Sequence, residues 1–332
     1  MWGKKIAIDL GTANSVVYVV GEGIVINEPT VVAVSADDRR VVAVGNDAKT
    51  MLGRTPGTII ASRPMRDGVI ADYAITEALL TYLIHKSVGK RWLFKPEVML
   101  CVPAGCTQVE RRAALDATMA AGARTTYLID EPLAAAIGAG IPIAEATGSM
   151  ILDIGGGAAE AAVISLGGVV AHKSTRIGGT RLDEAIADYV RRAHSLIIGE
   201  QTAEVVKIKI GSATKLPKVE TLKIKGRDTI SGLPKTVELS SEDVYQALQK
   251  PLLQVISVLK AVLEETPQEL SSDIIDRGIV MSGGTSMLRN LDTLITRETG
   301  VPAYLAEDPL LCVVKGTGRA LENIDLYKRA LR

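Results

Sequence analysis

Two short stretches, DLGTANS (9–15) and DIGGGAA (153–159), each put an aspartate near the end of an apolar run with glycine close behind. Gly11, Thr12, Ala13 and Asn14 in the first, and Gly155, Gly156 and Gly157 in the second, offer backbone N–H groups little hindered by side chains. Phosphate oxygens need such donors. Asp9 and Asp153 cannot touch phosphate directly without repulsion. Their natural work is to hold a hydrated Mg²⁺, which favours one or two carboxylates together with phosphate oxygens. Either stretch alone is more often a tight β-turn; two in matched frames, facing across a cleft, would grip a triphosphate from both sides. VMSGGTS (280–286) adds a third glycine turn after a strand, a backbone platform for a purine ring formed by Gly283, Gly284 and Thr285. Glu131, at a strand end before Pro132, is placed either to orient an attacking water in phosphoryl transfer or to cap the following helix.

Elements able to carry these groups follow from hydrophobic periodicity. Residues 4–35 alternate Val/Ile runs with glycine, which predicts an antiparallel meander, and 46–72 are mixed and loop-rich. Helical spacing runs over 73–86, and PEVMLCVP (96–103) is a buried strand. Thr107 and Glu110 form a T-x-x-E capping box for a helix that Gly122 closes. TTYLIDEP predicts a strand, and PLAAAIGAG a short helix with proline in its first turn. SMILDIGGGAAEAAVISLGGVVAH then restates KKIAIDLGTANSVVYVVGEGIVIN: strand, Asp, glycine turn, strand, glycine turn, strand. Asp9 and Asp153 anchor the two copies, 144 residues apart (153 minus 9), and the repeat implies two similar domains facing each other. Helices are expected at 183–196 and 202–211, strand-like alternation at 213–236, and a long helix at 241–265 interrupted early by Pro251. The strand at 275–284 ends in the third glycine turn, and 309–323 closes the body. The alternation argues for a layered α/β protein with ligand loops at strand ends.

Composition narrows the function classes. Formal net charge is zero over 332 residues, so no bulk field points to nucleic acid. Aromatic residues are only 3%, so Val, Ile, Leu and Ala must build the core. Cys101, Cys106 and Cys312 cannot form a disulfide framework, and C-x4-C without a second Cys or His cluster does not suggest zinc. Cys101 and Cys106 read as small hydrophobes at a strand end, in keeping with a reducing cytoplasm. No apolar stretch suits a signal peptide or a bilayer span, so the expected location is cytoplasmic. Against this background GKRWLFKP (89–96) stands out. It holds the chain's one Phe and one of its two Trp, with Trp92, Leu93 and Phe94 set among Lys90, Arg91 and Lys95. Such a loop is either a core plug or an apolar tip with a basic collar for an anionic membrane surface.

The two hairpins, DEPLAAAIGAG and the late glycine turn are similar to the actin-like ATPase superfamily of actins, heat-shock chaperone ATPase domains and sugar kinases. Within it, IDLGTANS, NEPTVVAV, RPMRDGVIADY, VERRAALDA, ILDIGGG, GLP and DRGIVMSGG resemble the MreB family of bacterial rod-shape actins. The resemblance runs from about residue 4 to residue 326, and RPMRDGVIADY (63–73) is its most specific stretch. It implies two duplicated ribonuclease-H-like domains around a nucleotide cleft, each with a smaller subdomain. The implied boundaries are 1–32, 73–145 and 315–332 for the first large subdomain and 33–72 for its small one. For the second they are 146–180 with 240–314, and 181–239. It implies ATP or ADP with Mg²⁺ near Asp9 and Asp153, and Glu131 positioning water. Glu204 and Lys207 would bracket ribose and purine, with Gly283 and Gly284 on the adenine side. It also implies head-to-tail protofilaments (paired through a helix over 107–121 with Val109 on its rim), a membrane-inserting loop at Trp92–Phe94 helped by Trp2, and partners in cell shape and cell-wall synthesis.

Three departures from the family pattern stand out. Ala158-Ala159 stand where Thr-Thr is usual, Thr285 replaces a third glycine, and Asp130 replaces a common Glu. A hydroxyl at 158 could bond the γ-phosphate or the attacking water, so slow hydrolysis is expected. A hydrolysis-impaired scaffold that copolymerises with an active paralogue is the alternative. A small-molecule kinase would need an acceptor pocket and a catalytic Asp for which no motif is visible; a chaperone would need a further domain after residue 332.

Overall fold

The computed structural model describes residues 3–89 and 94–327. Two five-stranded sheets dominate it, and they have the same strand order. In the first, Lys5–Leu10 lies centrally, with Asn14–Val19 and then Gly23–Pro29 on one side, antiparallel, and Glu97–Val102 and then Thr125–Asp130 on the other, parallel. In the second, Ser149–Ile154 is central, with Ala159–Ser165 and Gly168–Thr175 on one side and Ile279–Ser282 and Ala303–Leu305 on the other. The duplication read from the two aspartates is thus a duplication of topology. Asp9 pairs with Val16 and Asp153 with Glu160, the same hairpin register in both copies.

The helix after the fifth strand of each sheet, Glu131–Gly138 and Cys312–Glu322, packs against its counterpart. The approach is close because each helix presents glycine. A Cβ on Gly138 would strike Cys312 O, and one on Gly316 would strike Ala134 O. Leu133, Ile137, Val313 and Leu321 share one apolar cluster with Ile129 of the first sheet and Ile151 of the second. The core therefore continues from one half into the other, and the cleft opens beside this spine.

Several sequence expectations are corrected. The fourth apolar run does not extend the meander: Val32–Ser35 joins Val41–Val44 and Ile59–Ser62 in a separate three-stranded sheet. Pro29 ends the preceding strand, and Thr30 is drawn back to the first hairpin by its N–H to Ala13 O (2.9 Å) and its hydroxyl to Gly11 O (2.6 Å). The 46–72 stretch is more ordered than expected, with a short helix Asn46–Met51 and the strands Ile59–Ser62, Met65–Arg66 and Val69–Ile70. Pro251 does not interrupt the helix Ser241–Glu265. An interior proline costs ~3 kcal/mol. Val244, Leu248, Leu252, Val255, Leu259 and Val262, all buried at helical spacing, each return ~1.5–3 kcal/mol, so packing wins. The helix expected at 183–196 starts earlier, as Gly179–His194, and that expected at 202–211 is Glu200–Ile210. Within 213–236 the alternation forms the hairpin Thr221–Asp228 and Pro234–Ser240, edged by Leu196–Ile197. The capping box at Thr107 forms as read, with Glu110 N–H donating to Thr107 Oγ1 at 3.2 Å and Thr107 N–H to Glu110 Oε2 at 2.8 Å.

Candidate functional site

Each glycine turn is held in shape by backbone groups from elsewhere. In the first, Gly11 sits so close to Asn14 O that a Cβ would lie 2.7 Å from it, and Thr30 clamps Gly11 and Ala13 from behind. In the second, Gly155 N–H donates to Ala158 O (3.0 Å). The start of helix Gly179–His194 reaches over it, with Gly179 N–H on Gly155 O (3.0 Å) and Thr180 N–H on Gly156 O (2.9 Å). The turns then meet. A Cβ on Gly156 would lie 2.7 Å from Ala13 Cβ, and one on Gly157 would run into Thr12 Oγ1 and stand 2.9 Å from Gly68 N. Glycine is required here because two backbones converge.

Behind the turns lies a set of buried carboxylates. Ser282 Oγ donates to Asp153 Oδ1 at 2.6 Å, and Cys101 Sγ lies 3.4 Å from Asp9 Oδ1. Burial, reinforced by Asp153, pushes Asp9 up to about 7. Burial pushes Asp153 up to about 6 against the Ser282 bond, and Glu160 up to about 8. Glu131 is driven well above the carboxylate range, by burial first and then by the charges of Glu160, Asp9, Asp153 and Asp130. Glu160 Oε2 accepts from Ala104 N–H (3.2 Å), while its Oε1 is buried without a partner among the described residues. So many carboxylates in a low-dielectric setting call for a cation. Among the described residues no group of three or more His, Cys, Asp or Glu could hold a metal. That donor set fits Mg²⁺ completed by water and phosphate oxygens rather than an all-protein cage.

The opposite wall is the helix Glu200–Ile210. Lys207 Nζ lies 2.9 Å from Asp183 Oδ1 and 3.1 Å from Gly179 O; Glu204 faces Lys49 at 3.5 Å. Gly283 adopts φ +83° with its Cα against Ile154, and Thr285 Oγ1 donates to Gly155 O at 2.8 Å. Thr285 thus ties the late turn to the second hairpin, a job no glycine could do. All fifteen residues proposed for nucleotide, metal and water line one cavity of about 460 Å³: Asp9, Gly11 to Asn14, Glu131, Asp153, Gly155 to Gly157, Glu204, Lys207 and Gly283 to Thr285. Ala158 lines it too.

Sequence reasoning missed Glu160, Asp183 and Arg63. Glu160 had a signal, as the one charged residue in the apolar strand AEAAVIS, and the register opposite Asp153 turns it inward. Asp183 and Arg63 had none, since their partners Lys207 and Glu200 are distant in sequence (Arg63 Nη2–Glu200 Oε1 2.6 Å). Asp130 proves to be structural: it pairs with buried Arg111 at 2.6 Å, tying helix Gln108–Ala120 to its neighbouring strand. Burial pushes the Cys106 thiol up to about 12, the Cys312 thiol up to about 11 and the Cys101 thiol well above its usual value, so all three are unreactive.

The family model described as MreB/Mbl protein matches residues 3–329. The chain belongs to the MreB/Mbl family. It is 52% identical to the cell shape-determining protein MreB of Escherichia coli (strain K12), over 98% of this chain and 96% of that one. MreB5 of Spiroplasma citri bound to ADP superposes with a TM-score of 0.92 at 36% identity, covering 98% of this chain and 99% of that one. The same protein bound to AMPPNP gives 0.92 at 35%, covering 99% of each. The fold is therefore that of the actin-like ATPases, as the MreB resemblance implied.

Away from the cleft, Val109 is 79% exposed, which excludes inward packing. Of the aromatic turn, Phe94 (50% exposed) and Lys95 are on the surface, beside Gly3 near the N-terminus. Trp92, Leu93, Lys90 and Arg91, and Trp2, lie outside the described residues.

Proposed function

We propose that this chain binds Mg·ATP in the cavity between its hairpins, polymerises into filaments at the inner face of the cell membrane, and through them helps set cell shape by organising cell-wall synthesis. The observation that carries the reading is the convergence of both glycine hairpins, their aspartates and helix Glu200–Ile210 on one cavity. Nucleotide-bound structures of a relative with this fold support it, as does the cell-shape role named for a relative 52% identical.

In this reading the hairpin N–H groups hold the phosphates, and Glu204, Lys207 and the turn at Gly283 to Thr285 hold the nucleoside. Asp9 and Asp153 would carry Mg²⁺ through water, and its charge would neutralise the phosphate oxygens. Glu131 positions the attacking water, and Glu160 stands behind it. Ala158 offers no hydroxyl, so hydrolysis is slow. Residues 33–72 and 181–239 act as the small subdomains that cap the cleft. Head-to-tail contacts that do not close give a filament, and exposed Val109 leaves helix Gln108–Ala120 available for pairing protofilaments. The basic, apolar turn at 90–95 attaches the polymer to anionic lipid. The location is cytoplasmic, peripheral to the membrane.

Ala158 also favours a second reading, a hydrolysis-impaired scaffold that copolymerises with an active paralogue. Electron microscopy of the purified chain, with and without ATP and anionic liposomes, separates the two. Filaments that need ATP and gather on liposomes are expected; failure to assemble alone under every condition would favour the scaffold.

A further inference from the structure

A second cavity, of about 300 Å³, adjoins the first and shares Thr12, Arg63, Gly157 and Thr180 with it. Three guanidinium groups line it: Arg63 and Arg66 from one side of the cleft and Arg181 from the other. Arg63 is engaged with Glu200, and Arg181 Nη1 with Glu184 at 2.7 Å. Arg66 has no ion pair or side-chain hydrogen bond among the described residues and is exposed.

We propose that this cavity is an oxyanion site that receives orthophosphate as it leaves the nucleotide cavity. The proposal rests on the nucleotide reading above. Gly157 has no side chain and Thr12 and Thr180 contribute only small ones, so Arg63 is the one long side chain in the shared wall. Gly68 N–H donates to Thr12 Oγ1 at 3.0 Å, which leaves the hydroxyl proton of Thr12 for an anion on either side. Beyond it, Arg66 and Arg181 line the cavity, and a guanidinium is the side chain that suits paired phosphate oxygens. Of the three lining cations Arg63 is paired with Glu200 and Arg181 with Glu184, so Arg66 is the one whose charge no ion pair among the described residues takes up. Thr180 and Arg181 lie in the first turn of a helix whose opening amides are already bonded to Gly155 O and Gly156 O. Side chains, not helix amides, are therefore the donors. The volume is at the lower end of small-molecule pockets, which suits a free phosphate better than a second nucleotide.

The test is equilibrium binding of inorganic phosphate to the ADP-loaded full chain, with ADP affinity measured on the same preparations. Parent protein is compared with the doubles Arg66→Ala/Arg181→Ala and Arg66→Lys/Arg181→Lys. Saturable phosphate binding that weakens at least roughly tenfold in the Ala double, recovers partly in the Lys double and leaves ADP affinity unchanged is expected. Phosphate affinity in the Ala double within about twofold of the parent, or no saturable binding to the ADP-loaded parent, overturns the site. A parent chain that fails to bind ADP refutes the nucleotide reading, and the assignment of phosphate as its product falls with it. If that chain still binds phosphate through these arginines, the oxyanion site itself stands.

Discussion

On the proposed reading, hydrolysis in this cavity turns on Ala158. It lines the space between the hairpins opposite Gly68, which carries no side chain. Ala158→Thr should raise single-turnover ATP hydrolysis by roughly 10²-fold, the scale of one transition-state hydrogen bond, with nucleotide affinity unchanged. A rate within twofold of the parent would show that the missing hydroxyl does not limit hydrolysis. Asp9 and Asp153 were legible from sequence because the repeated frame marks them, and Ala158 because it departs from the family pattern. Glu160 was not: a single charge in an apolar strand acquires its direction only when the strand folds back and sets it opposite Asp153. Thr285 was legible as a position but not as a bond, since its partner is the carbonyl of Gly155, 130 residues away.

Among the elements, the two short helices Glu131–Gly138 and Cys312–Glu322 show what periodicity conveys and what it leaves out. The first was readable as a helix from PLAAAIGAG with its leading proline. That Gly138 and Gly316 exist for each other was not, because the requirement belongs to an interface between chain halves far apart in sequence. Gly316→Ala would push a methyl into Ala134 O and force the helices apart. Overpacking of this kind costs about 1–3 kcal/mol, to be seen as a lower urea midpoint at unchanged m-value. Nucleotide affinity should fall as well, because the spine sets the spacing of the hairpins. A midpoint equal to the parent's would mean that the helices separate without cost. Similar reasoning explains the misread meander. An apolar run bounded by glycine says strand, but not which sheet, and here Thr30 decided that through bonds to the first hairpin.

At the scale of the whole molecule, the duplication was legible from two aspartates 144 residues apart, and the sheets bear it out strand for strand. On the proposed reading, attachment to a membrane surface is a property of the assembled chain. Trp92, Leu93 and Phe94 gain ~1.5–3 kcal/mol each if fully buried, and each nearby cation about 1 kcal/mol at an anionic leaflet. Association costs about 4–15 kcal/mol in lost freedom, and partial insertion reduces the gain, so one copy binds marginally. Among the described residues no helix is long and apolar enough to cross a membrane. Phe94 at 50% exposure is poorly placed for a core plug, and Gly3 lies beside it in the same patch. A filament repeats that patch along its length, and linked sites gain 10²–10⁴-fold through effective concentration. ATP-assembled protein should therefore pellet with anionic vesicles, while unassembled protein at the same total concentration should remain in the supernatant. The triple variant Trp92→Ser, Leu93→Ser, Phe94→Ser should lose pelleting and keep ATP binding. Loss of both together would place the cluster in the core, because only a folding defect reaches the distant cleft.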